Sequence, residues 1–133
     1  MNIKSEQEMI RLGRDFARKV QAPAVIELIG DVGAGKTTFV RGLAEGLGVK
    51  EAISSPSFTI SKVYALPGGG ELKHYDFYRL AEPGIMAEEL EESFRDKRNI
   101  IIIEWGESVQ GILPEERIRV KINYTEEGRE VSL

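Results

Sequence analysis

The residues with the clearest chemical meaning form the stretch 30–37, which has the pattern G-x-x-x-x-G-K-T. This pattern is typical of the loop that binds the phosphates of ATP or GTP, because its glycines let backbone N–H groups approach a polyphosphate closely. Lys36 would then reach the β- and γ-phosphates, and the Thr37 hydroxyl would ligate Mg²⁺. The plain alternative is a glycine-rich turn before a helix.

The segments on either side of this loop favour the phosphate site. Ala24–Ile29 is a short apolar run typical of a buried strand. Residues 38–47 carry apolar side chains at helical spacing, so a helix is predicted to follow the loop. The N-terminus of that helix would direct unpaired N–H groups and its dipole at the bound anion.

A second informative stretch, residues 99–104, contains four consecutive isoleucines followed by Glu104. The isoleucines predict a strand buried on both faces, as at the centre of a parallel sheet. A carboxylate at the end of such a strand is similar to the Walker B acid, which ligates Mg²⁺ directly or through water. Glu104 could instead simply end an apolar strand. Residues 105–107 are predicted to continue as a loop. Without a functional role, Trp105 would be a core residue and Glu107 a surface residue.

Residues 58–65 and 71–77 are predicted to form two strands joined by a hairpin turn. Period-two alternation places His74 and Asp76 on one face of the second strand. Asp76 could orient an attacking water or hold a water bound to Mg²⁺, and it could equally be a hydrogen-bonded turn residue. His74 taken alone is more typical of a structural histidine.

The remaining segments predict the framework around these residues. A capping box of Ser5 and Glu8 opens an N-terminal helix that ends before Pro23. Residues 54–59 predict a loop, either an ordinary connector or a nucleotide-sensing segment. Residues 85–98 predict an acidic helix whose charges form a solvated face or a docking surface for a basic partner. The last strands, residues 117–124 and 129–133, predict a hairpin at the sheet edge.

Length and composition limit the possible classes of protein. The 133 residues predict one domain spanning 1–133, and the absence of cysteine excludes disulfides and thiolate metal sites. A net charge of −4 argues against broad electrostatic binding to nucleic acid. The longest apolar run, residues 100–103, is far too short to cross a bilayer, and residues 1–5 have no signal-peptide core. A cytoplasmic location without a membrane partner is therefore expected.

Four stretches together resemble the TsaE (YjeE) family, small bacterial ATPases needed to make the threonylcarbamoyladenosine (t6A) modification of tRNA. In order, they are residues 30–39, 55–59, 74–80 and 103–107. The resemblance covers nearly the whole chain, and its H-x-D-x-Y-R-L and I-E-W-x-E elements are more specific than the phosphate loop. Ser57 replaces a usual threonine but keeps the hydroxyl. Gly106 replaces a usual proline, which loosens the loop after Glu104 and leaves the placement of Glu107 open.

The resemblance implies roles for particular residues. Lys36, Asp76 and Glu104 would form the catalytic centre, with Thr37 and Glu104 ligating Mg²⁺. The implied nucleotide-binding residues are Gly33, Ala34, Gly35, Lys36, Thr37 and Thr38. The implied nucleotide-responsive switch is Ser55, Pro56, Ser57, Phe58 and Thr59, and further candidates are His74, Arg79, Trp105 and Glu107. The implied partners are the TsaD and TsaB proteins, whose complex the ATPase would reset, so that tRNA is met only indirectly through the complex.

We therefore predict an α/β, P-loop NTPase-like fold, with a mixed, mainly parallel sheet flanked by helices and an antiparallel hairpin. The predicted reaction is hydrolysis of ATP with Mg²⁺, and it is expected to be slow in isolation because the chain shows no obvious arginine finger. Arg79 is the nearest candidate, and a partner could supply another. The sequence has no N-K-x-D element, which favours ATP over GTP. Two other functions stay open: a small-molecule kinase, for which the chain has little length to form a lid, and a nucleotide-gated binding module that does not hydrolyse.

Overall fold

The computed structural model of the chain describes residues 1–30, 35–54, 61–77 and 84–133. Within those ranges the helices are α1 (Glu6–Ala17), α2 (Lys36–Gly46), α3 (Ile85–Arg95) and a 3₁₀ helix (Gly106–Ile112). The strands are β1 (Asn2–Ile3), β2 (Ala24–Ile29), β3 (Ser61–Ala65), β4 (Glu71–Asp76), β5 (Ile100–Glu104), β6 (Ile118–Thr125) and β7 (Gly128–Ser132).

The seven described strands form one sheet in the order β1-β7-β6-β2-β5-β4-β3. The four central strands, from β6 to β4, run parallel, and an antiparallel hairpin lies on each side of this centre. The predicted mixed α/β sheet is therefore confirmed. The predicted position of the last hairpin at the sheet edge is wrong, because β1 pairs with the outer side of β7. A two-residue strand carries too little pattern to be found from sequence.

β5 occupies the centre of the parallel region, and each of its residues is buried. Ile100 and Ile102 face one hydrophobic cluster, whereas Ile101 and Ile103 face the other. Alternation along the strand therefore directs Glu104 to the same face as Ile100 and Ile102. The strand predicted from four isoleucines is confirmed, and its position brings Glu104 to the carboxyl edge of the sheet.

The helices cover the two faces of the sheet. α1 and α2 pack on one face, where their side chains Phe16 and Phe39 meet with ring centroids 5.6 Å apart. α3 and the 3₁₀ helix pack on the other face through Leu90 and Val109. Among the described residues, none of the helices is long and apolar enough to span a bilayer. The face with α2 is thus the face to which Glu104 points.

The start of α1 follows the predicted capping pattern with one difference. The Ser5 hydroxyl accepts a hydrogen bond from the Glu8 N–H at 3.1 Å, as expected of an N-cap. The Glu8 carboxylate accepts from the N–H of Lys4 at 3.0 Å, one residue before the N-cap. Both bonds anchor the chain where it passes from β1 into α1.

The 3₁₀ helix begins at Gly106, so the prediction of a loop over residues 105–107 is wrong from that residue onward. The side chain of Gln110 in this helix donates to Glu27 Oε2 at 2.8 Å. Glu27 lies on β2, the strand that leads to the glycine loop, and it is buried. The hydrogen bond therefore joins the segment after Glu104 to the strand before the glycine loop.

Arg117 completes this hydrogen-bond network around the buried Glu27 carboxylate. Its Nε donates to Glu27 Oε1 at 2.7 Å, and its Nη2 donates to Gln110 Oε1 at 3.0 Å. Burial raises the pKa of the Glu27 carboxyl, but the hydrogen bonds from Arg117 and Gln110 and the charges of Arg117 and Arg119 outweigh this effect. The pKa is therefore lowered, and Glu27 is ionised at neutral pH.

Replacing Arg117 with Met is expected to lower the free energy of unfolding by about 2 kcal/mol, because an ionised carboxylate loses its main partner in a buried setting. Gln110 and Arg119 remain near Glu27 and reduce the loss. Since the Glu27 pKa is lowered on folding, its stabilising contribution is complete above the ordinary value of 4.5 and is lost as the pH falls. The deficit of the variant should therefore shrink in acid.

Urea denaturation of Arg117→Met from pH 7 down to pH values below 4.5 checks this prediction. The control is Arg119→Met, since the Arg119 side chain is 58% exposed and lies 3.5 Å from the same carboxylate oxygen. This exposed pair should contribute less than about 1 kcal/mol. Equal losses in the two variants would contradict the assigned role of Arg117.

Candidate functional site

The candidate site lies where parallel strands end and α2 begins. β2, β5 and β4 are adjacent and parallel, so their carboxyl ends meet at one edge of the sheet. Asp76 on β4 and Glu104 on β5 are paired in register at this edge. Gly35 caps α2 with a φ of 104°, a left-handed conformation that a glycine adopts without strain. This arrangement directs the N-terminus of α2 toward the strand ends.

Lys36, the first residue of α2, is nearly buried at this edge. Its Nζ donates to the Gly30 carbonyl oxygen at 2.7 Å and lies 3.5 Å from Glu104 Oε1. The same ammonium lies 4.2 Å from the centroid of the Trp105 ring, within range of a cation–π contact. The positive charge is therefore held inside the site by a carbonyl, a carboxylate and an aromatic face.

Glu104 binds both Lys36 and His74. Its Oε2 forms a hydrogen bond with His74 Nε2, and the side chains of both residues are at least 95% buried. Burial raises the pKa of the Glu104 carboxyl, but the hydrogen bond with His74 and the charge of the nearby Lys36 ammonium outweigh this effect and lower the pKa. Glu104 is thus a buried, ionised carboxylate at neutral pH.

Trp105 adopts an unusual backbone conformation directly after Glu104. Its φ of 56° lies in the left-handed region, where a non-glycine residue costs about 1–3 kcal/mol. The turn allows the ring to lie over the Lys36 ammonium while it also packs against the cluster on the α3 face. The strained turn therefore places the Trp105 ring against Lys36 in the site.

The side chains present suit Mg²⁺. Thr37 is half-buried near the start of α2 and offers a hydroxyl, and Glu104 offers an ionised carboxylate. In residues 1–30, 35–54, 61–77 and 84–133, no three His, Asp or Glu side chains cluster to hold a metal by themselves. Mg²⁺ commonly binds through one or two protein ligands together with substrate phosphates and water, so this sparse oxygen donor set fits it.

A cavity of about 340 Å³ adjoins the start of α2. The residues that line it come from the N-terminal segment, from α2 and from the β6–β7 turn: Ile3, Lys4, Ser5, Glu6, Met9, Gly35, Thr38, Gly128 and Arg129. The Arg129 guanidinium lies over the Tyr124 ring, with its carbon 4.2 Å from the ring centroid. Of these residues, sequence reasoning named only Gly35 and Thr38 as phosphate-binding residues, because three distant segments build the cavity.

The structure brings together most of the predicted site residues that it describes. Those near the strand ends and the start of α2 are Gly35, Lys36, Thr37, Thr38, His74, Asp76, Glu104 and Trp105. Asp76 is half-buried, and Glu107 is exposed in the first turn of the 3₁₀ helix. Gly33, Ala34, Arg79 and the switch residues Ser55, Pro56, Ser57, Phe58 and Thr59 lie outside the described residues.

Comparison with known proteins gives consistent matches along the chain. The family model "Threonylcarbamoyl adenosine biosynthesis protein TsaE" matches residues 3–131. The tRNA threonylcarbamoyladenosine biosynthesis protein TsaE of Haemophilus influenzae is 40% identical over 140 residues, which cover 98% of this chain and 85% of that protein. The protein of the same name from Treponema pallidum is 37% identical over 131 residues, which cover 98% of this chain and 96% of that protein.

A solved structure agrees with these sequence matches. The crystal structure of Bacillus subtilis YdiB superposes with a TM-score of 0.79 and 32% sequence identity. The superposition covers 98% of this chain and 80% of that one. The similarity therefore extends over both the sheet and the residues at its carboxyl edge.

Proposed function

The chain belongs to the TsaE family, and from that membership we propose that it is a Mg²⁺-dependent ATPase of tRNA threonylcarbamoyladenosine biosynthesis. One observation carries the ATPase part of this proposal. The Lys36 ammonium, the N-terminus of α2 and the ionised Glu104 carboxylate converge at the carboxyl edge of parallel strands. This is the place where open α/β sheets bind their ligands.

Lys36 binds the β- and γ-phosphates in this proposal. Its present partners are the Gly30 carbonyl oxygen and Glu104 Oε1, the second of them at 3.5 Å. A triphosphate offers several ionised oxygens, so the ammonium exchanges these partners for phosphate oxygens. The backbone N–H groups at the start of α2 bind the same anion and need no side chain.

Thr37 and Glu104 hold the magnesium ion that accompanies the triphosphate. When bound, Mg²⁺ supplies positive charge that stabilises the phosphoryl group during transfer. The lowered pKa of Glu104 keeps this ligand ionised at neutral pH. Asp76, which pairs in register with Glu104 on the neighbouring strand, orients the attacking water.

The cavity beside Gly35 and Thr38 receives the adenosine part of the nucleotide. It is continuous with the start of α2, so a nucleotide whose phosphates lie at Lys36 can extend its base into it. Ile3 and Met9 contribute apolar side chains to a lining that is otherwise mainly polar, and a small number of polar groups is what fixes the orientation of a bound ligand.

TsaD and TsaB are the proposed partners, and their complex is reset by the cycle of ATP binding and hydrolysis. The chain has a net charge of −4, so we propose that it does not bind tRNA directly and contacts tRNA only through the complex. The isolated chain hydrolyses ATP slowly in this proposal, because it lacks an arginine that a partner supplies. Such an arginine is a common means of stabilising the transferring phosphoryl group.

Addition of the TsaD–TsaB complex is expected to raise the ATP hydrolysis rate of the purified chain by at least about tenfold. Release of inorganic phosphate, measured with and without the complex, checks this prediction. Lys36→Met in the same mixture should remove the activity and so exclude a contaminating ATPase. Equal rates with and without the complex would contradict the partner assignment, and failure of the chain to bind ATP in calorimetry would contradict the ATPase itself.

A further inference from the structure

His74 has no role in the proposed reaction, yet its side chain contacts Glu104, the carboxylate at the centre of the site. The side chain is fully buried on β4, and Nε2 bonds Glu104 Oε2. Nδ1 is also buried and has no hydrogen-bond partner among the residues that the structure describes. An ionised carboxylate only accepts hydrogen bonds, so Nε2 carries the hydrogen of this bond. The whole polar contact of the ring is therefore directed at Glu104.

The two oxygens of Glu104 face different partners. Oε1 faces Lys36 at 3.5 Å, and Oε2 faces His74. The Lys36 contact is exchanged when a triphosphate binds, because the ammonium then turns to phosphate oxygens. The His74 contact need not change, because His74 and Glu104 belong to adjacent strands whose register is fixed by the ladder between β4 and β5. Glu104 Oε2 thus stays bound to His74 when a triphosphate binds, whereas Oε1 loses its Lys36 partner.

We propose that His74 is a positioning residue that holds Glu104 Oε2 and so presents Oε1 to the divalent cation of a bound nucleoside triphosphate. The inference rests on the proposed ATPase function. A ligand carboxylate held by a second hydrogen-bonding residue has fewer rotamers to lose when the cation binds. His74 therefore sets the cation affinity and leaves the affinity for metal-free nucleotide unchanged.

Calorimetric titration of a non-hydrolysable ATP analogue, over a series of Mg²⁺ concentrations and in EDTA, tests this role. His74→Leu is expected to raise the half-saturating Mg²⁺ concentration by about 10–100-fold, as loss of an outer-shell partner does at other metal sites. Its affinity for the analogue in EDTA should equal that of the wild type. His74→Gln places an amide N–H near the position of Nε2 and should restore the low Mg²⁺ requirement.

Two further variants separate positioning from packing. His74→Asn keeps a polar side chain that is too short to reach Oε2, so it should reproduce the loss without an apolar group beside the carboxylate. Leu72→Val changes a fully buried side chain on the same face of β4 and should lower stability without changing the Mg²⁺ requirement. This pair also keeps the test decisive if His74→Leu does not fold.

Three outcomes would overturn the inference. The first is a half-saturating Mg²⁺ concentration in His74→Leu or His74→Asn that equals the wild-type value. The second is a rise of this concentration in Leu72→Val as large as in the histidine variants. The third is a half-saturating Mg²⁺ concentration in His74→Gln that stays as high as in His74→Leu. A separate outcome concerns the wild-type chain, which would bind the analogue equally well in Mg²⁺ and in EDTA if the metal had no role. It would overturn the metal-dependent function on which the inference rests, before any variant is compared.

Discussion

ATP hydrolysis is expected to fall by roughly 100-fold when Glu104 is replaced by Gln, since a charged Mg²⁺ ligand contributes about 3 kcal/mol to stabilising the transition state. The substitution keeps the shape of the side chain at the end of β5 and removes only its charge. Because the wild-type pKa is lowered, the carboxylate is ionised throughout the neutral range, and the full loss should appear at pH 7.

The same substitution should leave nucleotide binding in EDTA intact or strengthen it. In the structure Glu104 Oε1 lies 3.5 Å from Lys36 Nζ and competes for the ammonium that the phosphates need. Glutamine competes less for this charge. A variant that hydrolyses poorly but binds metal-free nucleotide at least as well as the wild type therefore identifies a metal ligand and excludes a general loss of folding.

Steady-state phosphate release and calorimetry on the same preparations check this expectation. The matched control is Glu115→Gln, which removes a carboxylate from an exposed position after the 3₁₀ helix. It should hydrolyse like the wild type. A rate for Glu104→Gln close to that of the control would show that Glu104 is only the polar end of an apolar strand.

The elements predicted correctly are those whose signals are local. The helix predicted over residues 38–47 is present as α2, which begins two residues earlier, at Lys36. Four isoleucines predicted a buried central strand, and β5 is buried along its whole length. Alternation of side chains along β4 correctly placed His74 with Asp76 on the face opposite Tyr75, whose ring stacks on Phe77. Such periodicities are properties of a single strand or helix.

The contacts inside the site depend on which strands are neighbours, and periodicity does not encode strand order. His74 meets Glu104 because β4 lies beside β5, and Lys36 meets Glu104 because β5 lies beside β2. Nor does the sequence mark Trp105 for a left-handed conformation, which usually indicates glycine or asparagine. The sequence therefore indicated which residues belong to the site, but the contact between His74 and Glu104 was found only in the structure.

A charge inside a buried strand is a related case. Glu27 lies in the middle of the apolar run of β2, where sequence alone gives no partner. Its partner Arg117 follows 90 positions later in the chain, and Gln110 follows 83 positions later. Pairing over such separations is fixed by the fold as a whole, so the network could be recognised only once β2 and the 3₁₀ helix were placed together.

The stability of the α2 helix at the site depends on glycines where it crosses α1. A Cβ on Gly42 would overlap the carbonyl oxygen of Ile10 and lie 2.8 Å from its carbonyl carbon. A Cβ on Gly13 would overlap the Phe39 carbonyl oxygen and lie 2.8 Å from the Leu43 nitrogen. These obstacles are backbone atoms, so no side chain can rotate away, and the two helices would have to separate.

Gly42→Ala is therefore expected to lower the free energy of unfolding by at least about 3 kcal/mol, the upper end of the usual cost of overpacking. The gain of about 1 kcal/mol from the better helix propensity of alanine does not offset this loss. Because α2 carries Lys36 and Thr37 at its start, its displacement should also weaken nucleotide binding. Urea denaturation and calorimetry measure the two effects, with Gly111→Ala as the control because a Cβ there meets no atom within 4 Å. Wild-type stability in Gly42→Ala would mean that α1 and α2 are not in contact through their backbones.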